Sequence, residues 1–308
     1  MKTNQKVAAV IVNWNSGDLV ASAVTSVIDD VSEVIVVDTA STDDSLTMLR
    51  RRFGSSSGIR LIELNENLGF AGATNAGTRL ALDEEADLVL WLNSDATMLP
   101  GAVHELASFL ESRSDAAAAA PAVLDPVSRS PQHTSCTLVD ANSLKGHWET
   151  HGLDGPPLRS DWLSGEAILL RSSAVASIGL LSDTLFFWAE DLDWSLRATE
   201  LGYELWCVPT AHCLHHVGGS SASDIRAYFA ARNLLILLRT RRGLSRGGAL
   251  RRGLPQIRYQ LRRLAAHRQT RALRFLLLGL SDGLSRDFRR RFPQQDIQEP
   301  ARRPECGS

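Results

Sequence analysis

Three groups of side chains in this chain could do chemistry. The first is a pair of carboxylates at strand ends. Asp38 follows the apolar run Val34-Ile-Val-Val37, and Asp95 follows Leu88-Val-Leu-Trp-Leu92 through Asn93 and Ser94. Ligands of open α/β sheets collect outside the carboxyl ends of the strands, where both acids would stand. The second group is Glu190, Asp191 and Asp193, which open a helix-like stretch directly after Phe186-Phe187-Trp188. Acids favour a helix N-terminus. An aromatic neighbourhood would also desolvate a carboxylate and raise its pKa toward that of a useful base. The third group is His212, His215 and His216, near Cys207 and Cys213. Its spacing matches no structural zinc pattern, and a single His joining Asp95 on a metal fits better than a zinc cage. His147 and His151 flank Glu149 but lack the order of a metalloprotease helix, and a polar substrate loop is the better reading.

The elements that must carry these groups follow from periodicity. Val7–Val12, Val34–Val37, Ile59–Glu63 and Leu88–Leu92 are short apolar runs of the kind that form buried strands. Helical spacing separates them, over Asp18–Ile28, Asp44–Phe53 and a Gly-rich turn at Asn67–Asn75 running on to Asp83. Such alternation predicts βαβ units on a mostly parallel sheet. Pro100–Glu111 predicts another helix. Ala116–Val123 is ambiguous between helix and strand, because Ala favours helix and Pro121 does not. From Asp125 to Ser160 no period is visible, and a long excursion is expected. Trp162–Leu170, Tyr203–Val208 and His212–Val217 read as strands, with Glu190–Leu201 and Asp224–Thr240 as helices. Pro255–Leu264, with Pro255 in its first turn, and Arg271–Leu280 read as basic amphipathic helices.

Composition bounds the class. The chain has 308 residues, 44% apolar and 22% charged, as in soluble globular proteins. No signal peptide or membrane-spanning run is visible, and four cysteines form no disulfide framework, so a cytoplasmic setting is expected. The net charge of −2 hides an asymmetry: from Arg226 onward there are 20 Arg, no Lys and five acids. The C-terminal stretch therefore seeks an anionic surface. Leu276–Leu280, Tyr259, Leu261 and Leu264 interleave with its Arg, which favours peripheral contact with the inner face of a membrane, or a lipid diphosphate, over nucleic acid. A solvated helical bundle is the plain alternative.

Two nucleotide folds are disfavoured. The turn after the first strand is Asn13-Trp14-Asn15-Ser16-Gly17, without the glycine fingerprint of dinucleotide sites, and a Gly-Lys-Ser/Thr phosphate loop is absent. A carboxylate acting through a divalent metal would hold a diphosphate instead.

The ordered motifs over about residues 7 to 240 resemble glycosyltransferase family 2, the inverting enzymes of the GT-A fold, and most closely its rhamnosyltransferase-like branch. They are Ile11-Val-Asn-Trp-Asn15, Val37-Asp-Thr-Ala-Ser-Thr-Asp43, Asn65-Glu-Asn-Leu-Gly-Phe-Ala-Gly-Ala-Thr-Asn-Ala-Gly77, Leu92-Asn-Ser-Asp95, Phe187-Trp-Ala-Glu-Asp-Leu-Asp193, His215-His-Val-Gly-Gly-Ser220 and Arg232-Asn233. The resemblance implies a GT-A domain over 1–240, with a nucleotide-sugar half (1–123) and an acceptor half (124–240). A basic helical extension, 241–308, would follow, with a disordered end. It implies that Asp38, with the Val12 and Asn13 backbone, holds the nucleobase, while Asn67, Gly69, Phe70, Asn75 and Asn93 line the donor pocket. Asp95 and His215 would ligate Mg²⁺ or Mn²⁺ on the diphosphate of a nucleotide sugar. Asp191 would deprotonate the hydroxyl of a glycan, lipid-linked or small-molecule acceptor, with Trp188, Glu190, Asp193 and Arg232 in support. Thr39, Asp44, Asn93 and Ser94 depart from the usual pattern, leaving the metal tip a single charge. A sugar nucleotidyltransferase would need a Gly-rich basic loop that Asn13–Asp18 lacks. A non-catalytic protein working through its basic tail is the reading from another class.

Overall fold

The computed structural model describes residues 5–54, 58–216 and 223–286. The chain forms two compact units, Met1–Ser220 and Ser221–Ser308. The division falls twenty residues before the position expected from sequence, because the helix of residues 223–240 packs with the two helices that follow it.

The first unit is built on one large mixed sheet. Its core is β1 (Val7–Asn13), β2 (Glu33–Thr39), β3 (Ile59–Leu64) and β4 (Leu88–Asn93), parallel in the order β3-β2-β1-β4. Every residue of β1 is buried, which explains its unbroken apolar run. Helices α1 (Leu19–Val27), α2 (Ser45–Phe53) and α3 (Gly69–Asp83) make the crossovers. After β4 come the short β5 (Ala96–Met98), α4 (Ala102–Ser112) and β6 (Ala116–Leu124). The ambiguous Ala run is thus a strand, buried at all nine positions. Burial in mid-sheet overrides the helical preference of Ala, and its small side chains let the layers on both faces approach.

Residues 125–160 are not patternless. They form β7 (Pro131–His133), a two-stranded hairpin of β8 (Ser135–Asp140) and β9 (Lys145–Glu149), and β10 (Leu158–Arg159). Next come β11 (Ala167–Arg171), α5 (Ser172–Ile178), α6 (Glu190–Glu200) and β12 (Glu204–His215). The stretch read as two strands around Pro209 is the single β12, with a pairing irregularity between Val208 and His212 that accommodates the proline. The sheet continues from β4 through β11, β6 and β12 to β10, with β11 antiparallel to β4. Side chains of α1, α2 and α4 pack on one face, and those of α3, α5 and α6 on the other. Trp91 of β4 meets Trp194 of α6 edge-on at 5.7 Å and donates to Thr78 Oγ1 at 2.9 Å, which ties α6 to the sheet centre.

The second unit contains α7 (Ser223–Thr240), α8 (Arg246–Ala266) and α9 (Thr270–Leu284). Pro255 lies inside α8 rather than at its start. Ala227, Ala231, Leu264, Ala272 and Leu276 form an internal core. Among the described residues, no helix is long and apolar enough to cross a membrane. The expected disordered end, from Pro293, lies outside the described residues.

Candidate functional site

The parallel register assembles one wall of the site. Asn13 pairs with Asp38, and Val12 with Asn93, so three strand ends stand side by side. Asp38 is buried, and its carboxylate is held from two directions. Asn13 Nδ2 donates to Oδ1 at 2.6 Å, and the Ser41 N–H donates to Oδ2 at 3.0 Å. Asn13 is itself fully buried and also donates to Ser45 and Ser41 hydroxyls, at 2.8 and 3.2 Å. Its side chain therefore orients Asp38. The loops after β1 and β2 are stitched further by Asn15 Oδ1, which accepts from the Thr42 N–H at 2.7 Å, and by Asp43, which accepts from the Gly17 N–H.

The Asn67–Asn75 segment forms the next wall. Asn67 Oδ1 accepts from the Gly69 N–H at 2.8 Å and opens α3. Gly69 has φ +71°, and a Cβ there would lie 2.4 Å from the Phe186 carbonyl oxygen, so only glycine allows the two loops to touch. The Ala71 N–H donates to that same carbonyl at 3.0 Å. Phe70 is half-buried and packs on the core beneath the sheet. Asn75 is buried and clamps the chain before the aromatic loop: its amide donates to the Leu181 carbonyl and to Asp183, and its oxygen accepts from the Leu181 N–H. These bonds engage both ends of the amide, which makes Asn75 a fastening for the 181–183 loop.

The Asp95–His215 pair is assembled by β5. It pairs antiparallel with β12 in a register that sets His215 opposite Ala96, hence beside Asp95. His215 Nε2 lies 3.6 Å from Asp95 Oδ1. Asp95 Oδ1, His215 Nδ1 and Asn93 Oδ1 are buried without a hydrogen-bond partner. Ser94 is turned away and bonds Ser16 through the two hydroxyls at 2.7 Å. His212 is half-buried, and His216 is exposed. Val217–Ser220, the remainder of the His-Gly-Ser motif, lies outside the described residues.

Two donor atoms on neighbouring positions of one Mg²⁺, each at about 2.1 Å, stand about 3 Å apart, so the Asp95–His215 separation fits a shared ion. The orphaned carboxylate oxygen and imidazole nitrogen fit it too, since a buried polar atom without a partner is costly. No group of three or more His, Cys, Asp or Glu that could hold a metal occurs among the described residues. A site with so few protein ligands suits a hard cation that substrate phosphates help to hold.

Sequence reasoning missed Glu166. It stands just before β11, whose pairing with β4 brings its carbonyl to the Asn93 N–H at 2.9 Å. Its carboxylate lies 3.9 Å from His215 Nδ1 and 3.8 Å from His133 Nε2 of β7. Burial pushes the Glu166 carboxyl up. The His133 and His215 imidazoles at ion-pair distance outweigh this and hold it at about 2. The only sequence signal was an acid at the mouth of an apolar run, and it was absorbed into a strand reading.

Asp191 stands next to this carboxylate. The Gly165 N–H donates to its Oδ2 at 2.9 Å and its own neighbour Leu192 donates to Oδ1 at 2.7 Å. Burial, then the charge of Glu166, raises its pKa to about 6. Glu190 is buried and raised as well, by burial and by the Asp191 charge. The loop that delivers them is strained: Phe186, Trp188 and Ala189 all have positive φ, between 60° and 73°. Trp188 is exposed at its crest. Asp193 is buried and pairs with Arg197, whose guanidinium also donates to the Ile178 and Leu180 carbonyls, so it ties α6 to the end of α5. Arg232 belongs to the second unit, where it is buried and donates to Asn233 Oδ1.

The structure thus gathers Asn93, Asp95, Glu166, Asp191 and His215 at the carboxyl edge of the sheet, with Asp38 two strands away from β4. Residues 8–155 match the profile described as Glycosyl transferase family 2. The dTDP-rhamnosyl transferase RfbF of Shigella flexneri is 24% identical over 248 residues, 77% of this chain and 81% of that protein. The N-acetylglucosaminyl-diphospho-decaprenol L-rhamnosyltransferase of Mycobacterium tuberculosis is 27% identical over 221 residues, 64% of this chain and 71% of that protein. Among solved structures, GalNAc-T7 with UDP, GalNAc and Mn²⁺ superposes with a TM-score of 0.59 at 16% identity, over 75% of this chain and 51% of that one. The mannosyltransferase PcManGT from Pyrobaculum calidifontis, in complex with GDP-Man and Mn²⁺, gives 0.54 at 17% identity, over 92% and 88%. These structures share the GT-A fold. Its ordered motifs, its fold and these relatives together make the chain similar to glycosyltransferase family 2 over residues 8–155, and to the rhamnosyltransferases within it.

Proposed function

We propose that the protein transfers a deoxyhexose such as rhamnose, with inversion, from its nucleoside-diphosphate donor to a sugar hydroxyl of a glycan or lipid-linked acceptor. The two relatives named as rhamnosyltransferases support the donor class. The observation that carries the reaction is Asp191: a desolvated carboxylate, fixed by two N–H groups and raised to about 6, near the charge of Glu166, which itself faces His215.

Each residue then has a task. Asp38, braced by Asn13 and Ser41, receives the nucleobase. Asn67 and Gly69 hold the donor loop against the aromatic segment, and Asn93 presents its unpartnered Oδ1 to the donor. Asp95 and His215 hold Mg²⁺ or Mn²⁺. The cation, when bound, neutralises charge on the departing diphosphate. Asp191 accepts the acceptor hydroxyl proton while that oxygen forms a bond to the anomeric carbon. The anomeric carbon–oxygen bond to the diphosphate breaks with its electrons leaving on the nucleotide. Glu190 remains protonated when Asp191 ionises, so the base does not face a second charge from its neighbour. Trp188, exposed on the loop that leads into Asp191, offers an apolar face to the acceptor ring.

A thermal-stabilisation screen of nucleotide sugars tests this reading. A dTDP-deoxyhexose is expected to raise Tm with Mn²⁺ and to lose that effect with EDTA. Stabilisation by no nucleotide sugar under either condition would refute it.

A further inference from the structure

We propose that the outward faces of α8 and α9 dock the protein on the surface of an anionic lipid bilayer. Residues 223–286 contain 15 Arg, no Lys and two acids, Asp224 and Asp282. Both acids are engaged within the unit, Asp224 by Arg271 at 2.9 Å and Asp282 by the Tyr228 hydroxyl at 2.6 Å. Two carboxylates cannot balance fifteen guanidinium groups, so the unit carries a strong positive field.

The helices sort that charge by face. In α8, Ala249, Gly253, Ile257 and Leu264 turn inward, while Arg251, Arg258, Tyr259 and Arg262 are exposed on the opposite side. In α9, Ala272, Phe275, Leu276 and Gly279 turn inward, and Arg271, Arg274, Leu277 and Leu278 face out. At about 100° per residue, those four outward positions of α9 fall within a sector of roughly 120°. Leu277 and Leu278 are 55% and 47% exposed, and Tyr259 is 68% exposed. Burial of Leu264 and Leu276 removes them from the set the sequence suggested for this contact.

Charge alone would fit a solvated face or nucleic acid. The adjacent leucines decide against both. Two aliphatic side chains presented among Arg find no partner in water or along a phosphate backbone. They do find one at the boundary between headgroups and acyl chains, where flanking Arg extend toward lipid phosphates. No described helix can span a bilayer, so the contact is peripheral.

Co-sedimentation of the full chain with vesicles tests the proposal. The expected result is pelleting with phosphatidylglycerol–phosphatidylcholine vesicles and none with phosphatidylcholine alone. Each basic residue near such a surface changes the partition coefficient about five-fold. The triple change Arg251→Gln, Arg258→Gln and Arg262→Gln is therefore expected to weaken binding about 100-fold. Leu277→Ser with Leu278→Ser is expected to weaken it about ten-fold. These positions are exposed, and unchanged circular-dichroism melting separates lost docking from lost folding. Asp191→Asn is expected to pellet like the native chain, which keeps docking distinct from the reaction. Equal pelleting on neutral vesicles, no pelleting on anionic ones, unchanged binding in the leucine variant, or release from vesicles by a short DNA duplex would each overturn it.

Discussion

His215 Nε2 and Asp95 Oδ1 lie 3.6 Å apart, and the other ring nitrogen of His215 faces Glu166 at 3.9 Å. One imidazole thus stands between two carboxylates, a relationship common where a His ligates a metal and a second acid fixes its tautomer. Asp95→Ala is expected to abolish the metal-dependent part of nucleotide-sugar binding, and His215→Ala to weaken it about ten- to a hundred-fold. Titration calorimetry with and without Mn²⁺ measures both. Unchanged donor affinity in Asp95→Ala would remove the metal from this place.

The acid limb of the rate profile follows from Asp191. The base must be ionised, so kcat/KM is expected to fall about tenfold per pH unit below about 6. Glu166 contributes a negative charge that raises Asp191. Glu166→Gln is expected to move the limb to lower pH, whereas a purely structural loss would lower the plateau and leave the midpoint in place.

Linkage gives this base a cost in stability. Its folded pKa lies above the model-peptide value of 3.8, so ionisation opposes folding above the folded pKa and the penalty disappears as pH falls through it. At neutral pH Asp191→Asn is expected to stabilise the fold by about 1–3 kcal/mol. Glu166 has the opposite sign: its depressed carboxyl supports the fold above pH 4.5 and loses that support as pH falls toward 2. Urea denaturation at pH 7 and pH 4 measures the Asp191 difference, and a further series down to about pH 2 measures that of Glu166.

The close approach of α3 to the aromatic loop predicts a backbone defect. Gly69→Ala would place a methyl group against Phe186 at a positive φ. A loss of about 2 kcal/mol or more is expected from strain and overpacking. Nucleotide-sugar binding is expected to weaken with it, because Phe186 belongs to the loop that carries Asp191.

What could be read from sequence was what burial writes plainly. The buried apolar stretches of β1, β2 and β4 appear as unbroken apolar runs, and their tips placed Asp38 and Asp95 at the carboxyl edge. The β8–β9 hairpin was illegible because its burial is irregular and its side chains are mostly polar. The nine buried residues of β6 read ambiguously because Ala carries a helical preference that packing overrides. Glu166 was missed because its partners, His133 and His215, meet it only through the β7 and β12 placements. Asn75 and Asp193 look like site residues in sequence. Their bonds to the 181–183 loop and to Arg197 show that they also fasten the loops around the site.

Asp191 as the base is the central claim, and single-turnover transfer by Asp191→Asn tests it most directly. A positioned base contributes about 10²–10⁴-fold. The account predicts a loss of that size in turnover, with nucleotide-sugar affinity within about twofold of the native chain. Turnover close to that of the native chain would contradict it.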